Sequence, residues 1–260
     1  MQEKMTNHHQ YFEANRNAWN LRTDIHLNSE FYNVEAWKNG GTSLNSIEIN
    51  EMGDVSGKKL LHLQCHFGQD TLSWARLGAD VTGCDLSDKA VEYARQLAKE
   101  MNLPAQFVCC NLYDLPKQLE GTFDIVFTSY GTVGWLPDLK PWAEVINHFL
   151  KPGGFFYIAD FHPVMWMFDE KMEYFKYPYH NSGVIETEQV GTYADRYSSG
   201  RSTTSSSITA LNTNSSPSIP SIPTSIQTDS ARTGDWRMAP LSKLWALPLT
   251  LSTWPRPNEK

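Results

Sequence analysis

The sequence has no apolar run near the roughly 20 residues that a membrane-spanning helix needs. Its opening stretch, MQEKMTNHHQ, lacks the apolar segment of a secretory leader. It has no excess of positive charge: 22 Lys and Arg stand against 29 Asp and Glu, a net charge of −7. Affinity for nucleic acid rests largely on Lys and Arg neutralising phosphates, so a dedicated nucleic-acid binder is not expected. Cysteine is scarce. Cys65, Cys84, Cys109 and Cys110 fit no zinc-ligand spacing, and each falls at or near the end of an apolar segment. They read as reduced, buried thiols of a cytoplasmic protein without a metal site. What remains is a chain of 260 residues, 40% apolar, with room for one large domain and its attachments.

The chain is organised around Leu60 to Ser87, LLHLQCHFGQDTLSWARLGADVTGCDLS. An apolar run from Leu60 to Cys65 leads into a turn at His66, Phe67 and Gly68. Leu72, Trp74, Ala75 and Leu77 then cluster at helical spacing until Gly78, and a second run, Val81 to Cys84, ends in Asp85. Strand, turn, helix and strand in a parallel sheet set a tight turn and a helix N-terminus beside that carboxylate. Such a crevice suits an adenosine-type cofactor, with main-chain N–H groups at its polar end and Asp85 accepting from ribose hydroxyls.

Ahead of this unit, residues from about Thr6 to Arg22 predict a helix with Tyr11, Phe12, Ala14, Ala18 and Trp19 on its apolar side. Ser46 to Met52 predicts a short helix leading into the first strand. Residues 1–57 read as a helical segment that either covers a ligand or packs against a sheet edge. After Asp85, Ser87 is a good N-cap for a helix carrying Ala90, Val91, Ala94, Leu97 and Ala98, and Pro104 follows it. Further strands are expected at Gln106–Cys110, Phe123–Thr128 and Phe155–Ala159, with a helix capped by Asp138 stopped at Lys151–Gly154. Strands alternating with helices make a doubly wound, Rossmann-like parallel α/β sheet whose strand ends share one edge. Residues 164–197, rich in aromatics and Met, read as a substrate-side excursion or an inserted hairpin. From residue 198 to 260 the chain is Ser-, Thr- and Pro-rich without periodicity, and it is not expected to offset the entropy of ordering it.

The run LLHLQCHFGQDTL … GCDLS … NLYDL … FDIVFTSYG … LKPGG, over about Lys58 to His162, resembles the class I S-adenosylmethionine-dependent methyltransferases. The resemblance implies a cofactor-binding core at 58–163 and methyl transfer from S-adenosylmethionine to a small-molecule acceptor by in-line displacement. It implies no nucleic-acid or membrane partner; acceptor and oligomeric state stay open. The family's first loop reads as an acidic residue followed by Gly-x-Gly-x-Gly. Here His62 takes the acidic place, and Gln64, His66 and Gly68 take the glycine places. The implied cofactor contacts are Gln64, Cys65, His66 and Gly68 of this loop. Asp85 and Leu86 would serve the ribose, Asn111, Leu112 and Tyr113 the adenine, and Ser129 the region of the transferring methyl group. Alignment of donor and acceptor supplies roughly 7–11 kcal/mol of such a barrier. His162 is the candidate base, against a plain loop residue bonded to backbone, and Tyr130 would orient the acceptor, with Asp160 a second polar wall. Two other readings stand beside this one: a decayed, non-catalytic S-adenosylmethionine binder, and a nucleotide-linked oxidoreductase, which the absent GxGxxG disfavours. The family closes its sheet with a helix and two more strands after the fifth. Here those strands read as missing or replaced, the composition break near Ser198 suggesting a shifted reading frame or sequence artefact.

Overall fold

A computed structural model describes residues 2–169, 173–179, 185–190, 192, 194 and 204–209. Three helices come first: α1 (Gln2–Leu27), α2 (Val34–Lys38) and α3 (Ser46–Met52). The sheet and its helices follow in alternation: β1 (Lys59–Leu63), α4 (Gln69–Arg76), β2 (Asp80–Asp85), α5 (Asp88–Glu100), β3 (Ala105–Cys109), β4 (Phe123–Thr128), α6 (Leu139–Phe149) and β5 (Leu150–Ile158). The five strands are all parallel, in the order β3-β2-β1-β4-β5. The order reverses beside β1, so the crevice at the topological switch point opens over the ends of β1, β2 and β4.

Alternate residues of the central strands feed the two faces. Leu61, Leu63 and Val126 pack with Val145, Ile146 and Phe149 of α6. Leu60, Val81, Ile125 and Phe127 pack on the other face with Trp74 of α4 and Met52 of α3, while Val91, Ala94 and Leu97 of α5 pack with Leu72 and Phe107. Burial of both faces explains why β1 and β4 read as nearly unbroken apolar runs. The helix starts follow the predicted caps. Ser87 Oγ accepts from Ala90 N–H at 3.1 Å and Asp138 Oδ1 from Lys140 N–H at 2.9 Å. Each such cap is worth about 1 kcal/mol.

Several boundaries differ from expectation. The first helix runs on to Leu27, because Thr23 and His26 are buried on the rim instead of ending in solvent. The fifth strand begins at Leu150, where the LKPGG stretch was expected only as a helix stop. Leu150 pairs with Phe123 and Phe155 with Ile125, and the Pro152–Gly154 segment is taken up as a bulge between them.

Among the described residues no further strand joins the main sheet. A separate antiparallel ribbon pairs β6 (Ile185–Val190) with β7 (Thr204–Thr209), and β7 lies against α1. β7 corrects the reading of residues 198–260 as wholly without strands: TSSSIT is short and polar, but Thr and Ile suit extended backbone and β6 satisfies its N–H and C=O groups. The reading-frame explanation for the rest of the tail lies outside the described residues.

Candidate functional site

The loop after β1 carries two residues in an unusual conformation. Gln64 (φ 55°) and His66 (φ 51°) are left-handed, as is Gly68 (φ 76°). The backbone therefore follows a path suited to glycine at all three places, although two carry side chains at a cost of roughly 1–2 kcal/mol each. Asp85, at the end of β2, holds this loop. Its Oδ2 accepts from His66 N–H at 2.7 Å and its Oδ1 from Ser87 N–H at 2.9 Å. Burial pushes the Asp85 carboxyl upward, and the amides of Ser87, His66 and Leu86 oppose that. Gly68 is irreplaceable on space as well as φ: an added Cβ would stand 2.7 Å from the Phe107 ring. Cys65 is buried in the core beside Leu72 and Val91, so what it offers the crevice is backbone.

α1 lies across this loop. Asn20 Oδ1 accepts from Ser87 Oγ–H at 2.6 Å, and Asn20 Nδ2 donates to Asp88 at 2.8 Å. His26 Nδ1 is 2.8 Å from His66 Nε2, and His26 Nε2 is 3.1 Å from Thr192 Oγ1. The Trp19 ring stands edge-on to His66 at 5.1 Å and to Trp135 at 5.2 Å, and the Arg22 guanidinium lies 5.2 and 5.0 Å from the Trp19 and Trp135 rings. Burial, with Arg22 nearby, lowers His26 to about 3 and holds His66 well below the usual histidine range, so both rings are neutral.

The β3 end contributes Asn111, whose Oδ1 accepts from Tyr113 N–H at 3.1 Å. Leu112 is buried in the core with Leu63 and Phe149, while Leu86 is half-buried. Tyr113 donates its hydroxyl to Asp138 C=O at 2.7 Å and sets its ring 5.7 Å from Phe12 of α1.

The β4–β5 end is wired differently. His62, buried on β1, has Nδ1 2.8 Å from Thr71 Oγ1 and Nε2 3.3 Å from Ser129 Oγ. Burial lowers its pKa to about 3. Asp70 stands in the first turn of α4, where the hydroxyls of Ser43 and Ser129 favour its charged form. Burial, reinforced by the Glu48 carboxylate, pushes Asp70 up to about 6. Tyr130 donates to Glu48 Oε2 at 2.7 Å, and Glu48, buried on α3, also accepts from Asn45 N–H at 2.9 Å. Gln64 Nε2 donates to Thr132 C=O at 3.0 Å. Asp160 Oδ1 accepts from Gly131 N–H and Phe161 N–H, both at 2.7 Å. His162 caps the turn after β5, its Nδ1 accepting from Val164 N–H at 3.3 Å.

A methyltransferase-domain family profile matches residues 60–154, the span from β1 through the LKPGG bulge. Over 152 residues the chain is 34% identical to an uncharacterized methyltransferase of Synechocystis sp., covering 57% of this chain and 66% of that one. This chain belongs to the class I S-adenosylmethionine-dependent methyltransferases. A ubiquinone biosynthesis O-methyltransferase of Chromobacterium violaceum is 31% identical over 43% of this chain and 47% of its own length. A solved TehB-like methyltransferase from Corynebacterium glutamicum is 25% identical, with a TM-score of 0.40, over 48% of this chain and 69% of its own. The chain thus spans about half the length of most of these curated relatives.

The family's cofactor finds matching partners among these residues. Two buried polar atoms on the first loop, Gln64 Oε1 and His66 Nδ1, have no hydrogen-bond partner among the described residues. A buried polar atom without a partner costs about 1–3 kcal/mol, so a polar ligand at this loop would offset a real deficit. Asp85 accepts two amides, and a carboxylate has about four lone-pair sites, so capacity for hydroxyl donors remains. The residues fit the group. Trp19, Asn20, Arg22, His26, Glu48 and Asp70 join the site in the folded chain without being among the residues expected there from the sequence. The first five reach the rim from segments distant in sequence and carry no motif. Asp70 alone had a local signal, standing two residues past the turn glycine.

Proposed function

We propose that this chain transfers a methyl group from S-adenosylmethionine to a small-molecule acceptor. The observation that carries the reading is the left-handed β1 loop, anchored by Asp85 and holding two buried, unpartnered polar atoms. Gln64, Cys65, His66 and Gly68 would line the methionine end, Cys65 and Gly68 through backbone. Asp85 and Leu86 would hold the ribose, and Asn111, Leu112 and Tyr113 the adenine side. The bound cofactor supplies a sulfonium-activated methyl group; the chain's own work is to orient donor and acceptor and exclude water. α1 would do the second as a cap, since Trp19, Asn20 and His26 already contact the rim.

Ser129 and Tyr130 stand on the acceptor side. Tyr130 orients acceptor while its hydroxyl stays on Glu48, and burial and Glu48 both raise its pKa, so it acts as a neutral phenol. His162 remains the candidate base, its second ring nitrogen, Nε2, being the one to meet an acceptor proton. A line of rings, Tyr130 to Phe161 at 5.9 Å and Phe161 to Trp166 at 6.1 Å, leads outward along residues 164–169 and suits a planar or apolar acceptor. An oxygen acceptor would parallel the ubiquinone-biosynthesis relatives. Free, largely buried thiols suit a reducing compartment such as the cytoplasm. Calorimetry with S-adenosylmethionine, S-adenosylhomocysteine and NAD tests the cofactor. Binding of the first two and not NAD is expected; NAD binding alone would sink the reading. A metabolite-library screen for methyl transfer then identifies the acceptor.

A further inference from the structure

The first loop meets α1 through His66. This residue stands at one of the loop's glycine places, in left-handed backbone (φ 51°) that costs a side chain roughly 1–2 kcal/mol. Its ring is enclosed by Trp19 of α1 at 5.1 Å, Tyr32 at 5.7 Å and Phe67 at 4.6 Å, and its Nε2 is 2.8 Å from His26 Nδ1. His26 is buried and stacks on Tyr32 at 4.9 Å. At that separation the two nitrogens share one proton: one ring donates an N–H and the other accepts on a bare nitrogen. An added proton has two places to go. On the bare nitrogen it sets N–H against N–H. On the far nitrogen of the donor ring it leaves a buried imidazolium, which the Arg22 guanidinium opposes.

α1 reaches each strand end around the crevice. Phe12 meets Tyr113 after β3 at 5.7 Å, Asn20 accepts from Ser87 Oγ–H after β2 at 2.6 Å, and Trp19 meets Trp135 after β4 at 5.2 Å. Asp24 pairs with Lys89 of α5. A ligand entering the crevice under this helix has to displace it. The loop beneath keeps its own anchor, because Asp85 Oδ2 accepts from His66 N–H at 2.7 Å. α1 can therefore lift while the loop holds its path.

We propose that the His26–His66 pair is a latch that holds α1 over the crevice while both rings are neutral and releases it when they take up protons. The latch goes beyond the methyl-transfer reading; only its consequence for exchange of S-adenosylhomocysteine rests on that reading. The sign follows from linkage. When α1 lifts, the rings return to water, where histidine titrates near 6.5. With α1 closed, burial and Arg22 lower His26 to about 3, and burial, His26 and Arg22 hold His66 well below its usual range. Closure is therefore fully favoured above the open-state value and weakens as pH falls below it, by roughly tenfold per pH unit for one ring and up to roughly a hundredfold for both. The groups facing the pair are Trp19 and Arg22 from α1, Tyr32 from the turn at 28–33, Phe67 from the loop, Asp85 of β2 through the His66 amide, and Thr192, whose Oγ1 is 3.1 Å from His26 Nε2. Burial raises Asp85, so its protonation also loosens the loop in acid, and the variants below separate the two. Asp88, bonded to Asn20, is held below the usual carboxylate range and keeps that tie intact.

Hydrogen exchange of the ligand-free chain, corrected for the intrinsic pH dependence of exchange, reads the opening of α1. From pH 7.5 to 5.5, opening at residues 19–27 is expected to rise about ten- to a hundredfold, with the β4 amides constant to about twofold. His26→Gln keeps a hydrogen-bonding side chain and removes one titrating ring, so the rise should shrink to about tenfold or less. Adding His66→Asn, a residue tolerant of left-handed backbone, should abolish it. Wild-type opening that is equal at the two pH values overturns the proposal, and this measurement stands even if the variants do not fold. A rise kept in full by the double variant overturns it too and points to Asp85. An equal rise at β4 overturns it as acid unfolding of the whole domain. In stopped flow, release of S-adenosylhomocysteine should speed up in parallel with α1 opening; an unchanged rate would show that α1 does not gate the crevice and overturns the proposal. If α1 opens as expected and the chain binds no S-adenosylhomocysteine at either pH, the latch stands and the methyltransferase reading falls.

Discussion

The two halves of the carboxyl rim are held together in different ways. On the β1–β3 half the strand-end loops hold one another by bonds short in sequence: Asp85 to Ser87 spans 2 residues, Asn111 to Tyr113 spans 2, and Asp85 to His66 spans 19. The longer ones there bring in α1, Asn20 to Ser87 at 67 and His26 to His66 at 40, or join Tyr113 to Asp138 at 25. On the β4–β5 half they are long: Asp160 to Gly131 spans 29, His62 to Ser129 spans 67, Gln64 to Thr132 spans 68, and Tyr130 to Glu48 spans 82. The first half is made largely by turns and caps that each local segment encodes. The second exists only when α3, α4 and β4 have met. The difference separates the side proposed to hold the nucleoside, whose loops a local motif can describe, from the side proposed to face the acceptor, which is built from contacts distant in sequence.

The largest expected effect cuts across that comparison. Asp85→Ala should abolish measurable S-adenosylmethionine binding by calorimetry, a loss of a hundredfold or more, since the loop anchor and the ribose acceptor go together. Asp160→Ala removes a similar amide anchor from the other half and should cost less than tenfold in the same assay. Equal losses would mean that the halves are not functionally distinct. Next, Gly68→Ala should lower stability in chemical denaturation by about 2–4 kcal/mol, from left-handed backbone and overpacking against Phe107. A loss under 1 kcal/mol would show that the Phe107 ring yields.

Asp70→Asn should raise the stability of the ligand-free protein by about 1–2 kcal/mol at pH 7.5. A carboxyl raised from 3.8 to about 6 binds more protons folded than unfolded, so its cost grows as pH rises from about 4 to 6 and is absent below. The gain measured by thermal unfolding should therefore vanish near pH 4; a gain constant with pH would rule out this cause. The smallest effect belongs to Gln64→Gly. Relief of the left-handed backbone opposes loss of the Thr132 bond, and net stability should move by less than about 1 kcal/mol.

The sheet was largely legible because both its signals are local. Apolar runs at 60–65 and 123–128, the Ser87 and Asp138 caps, and the Pro152–Gly154 stop each act within a few residues. Asp85 was legible for the same reason, as the polar residue ending an apolar strand. The loop conformation was not. Gln64 and His66 are poor left-handed residues, and only the Asp85 anchor and the packing of α1 impose that path on them. β7 escaped notice because a polar strand becomes one only through its partner.

The order of apolar and polar residues by itself determined a parallel α/β sheet with an acid closing its second strand, since burial and capping read short stretches of chain. Tertiary structure alone decided that α1 lies over the first loop, that Glu48 meets Tyr130, and that Asp70 stands as a half-buried acid beside them. Those arrangements depend on desolvation and on partners tens of residues away, and neither quantity exists until the chain has folded.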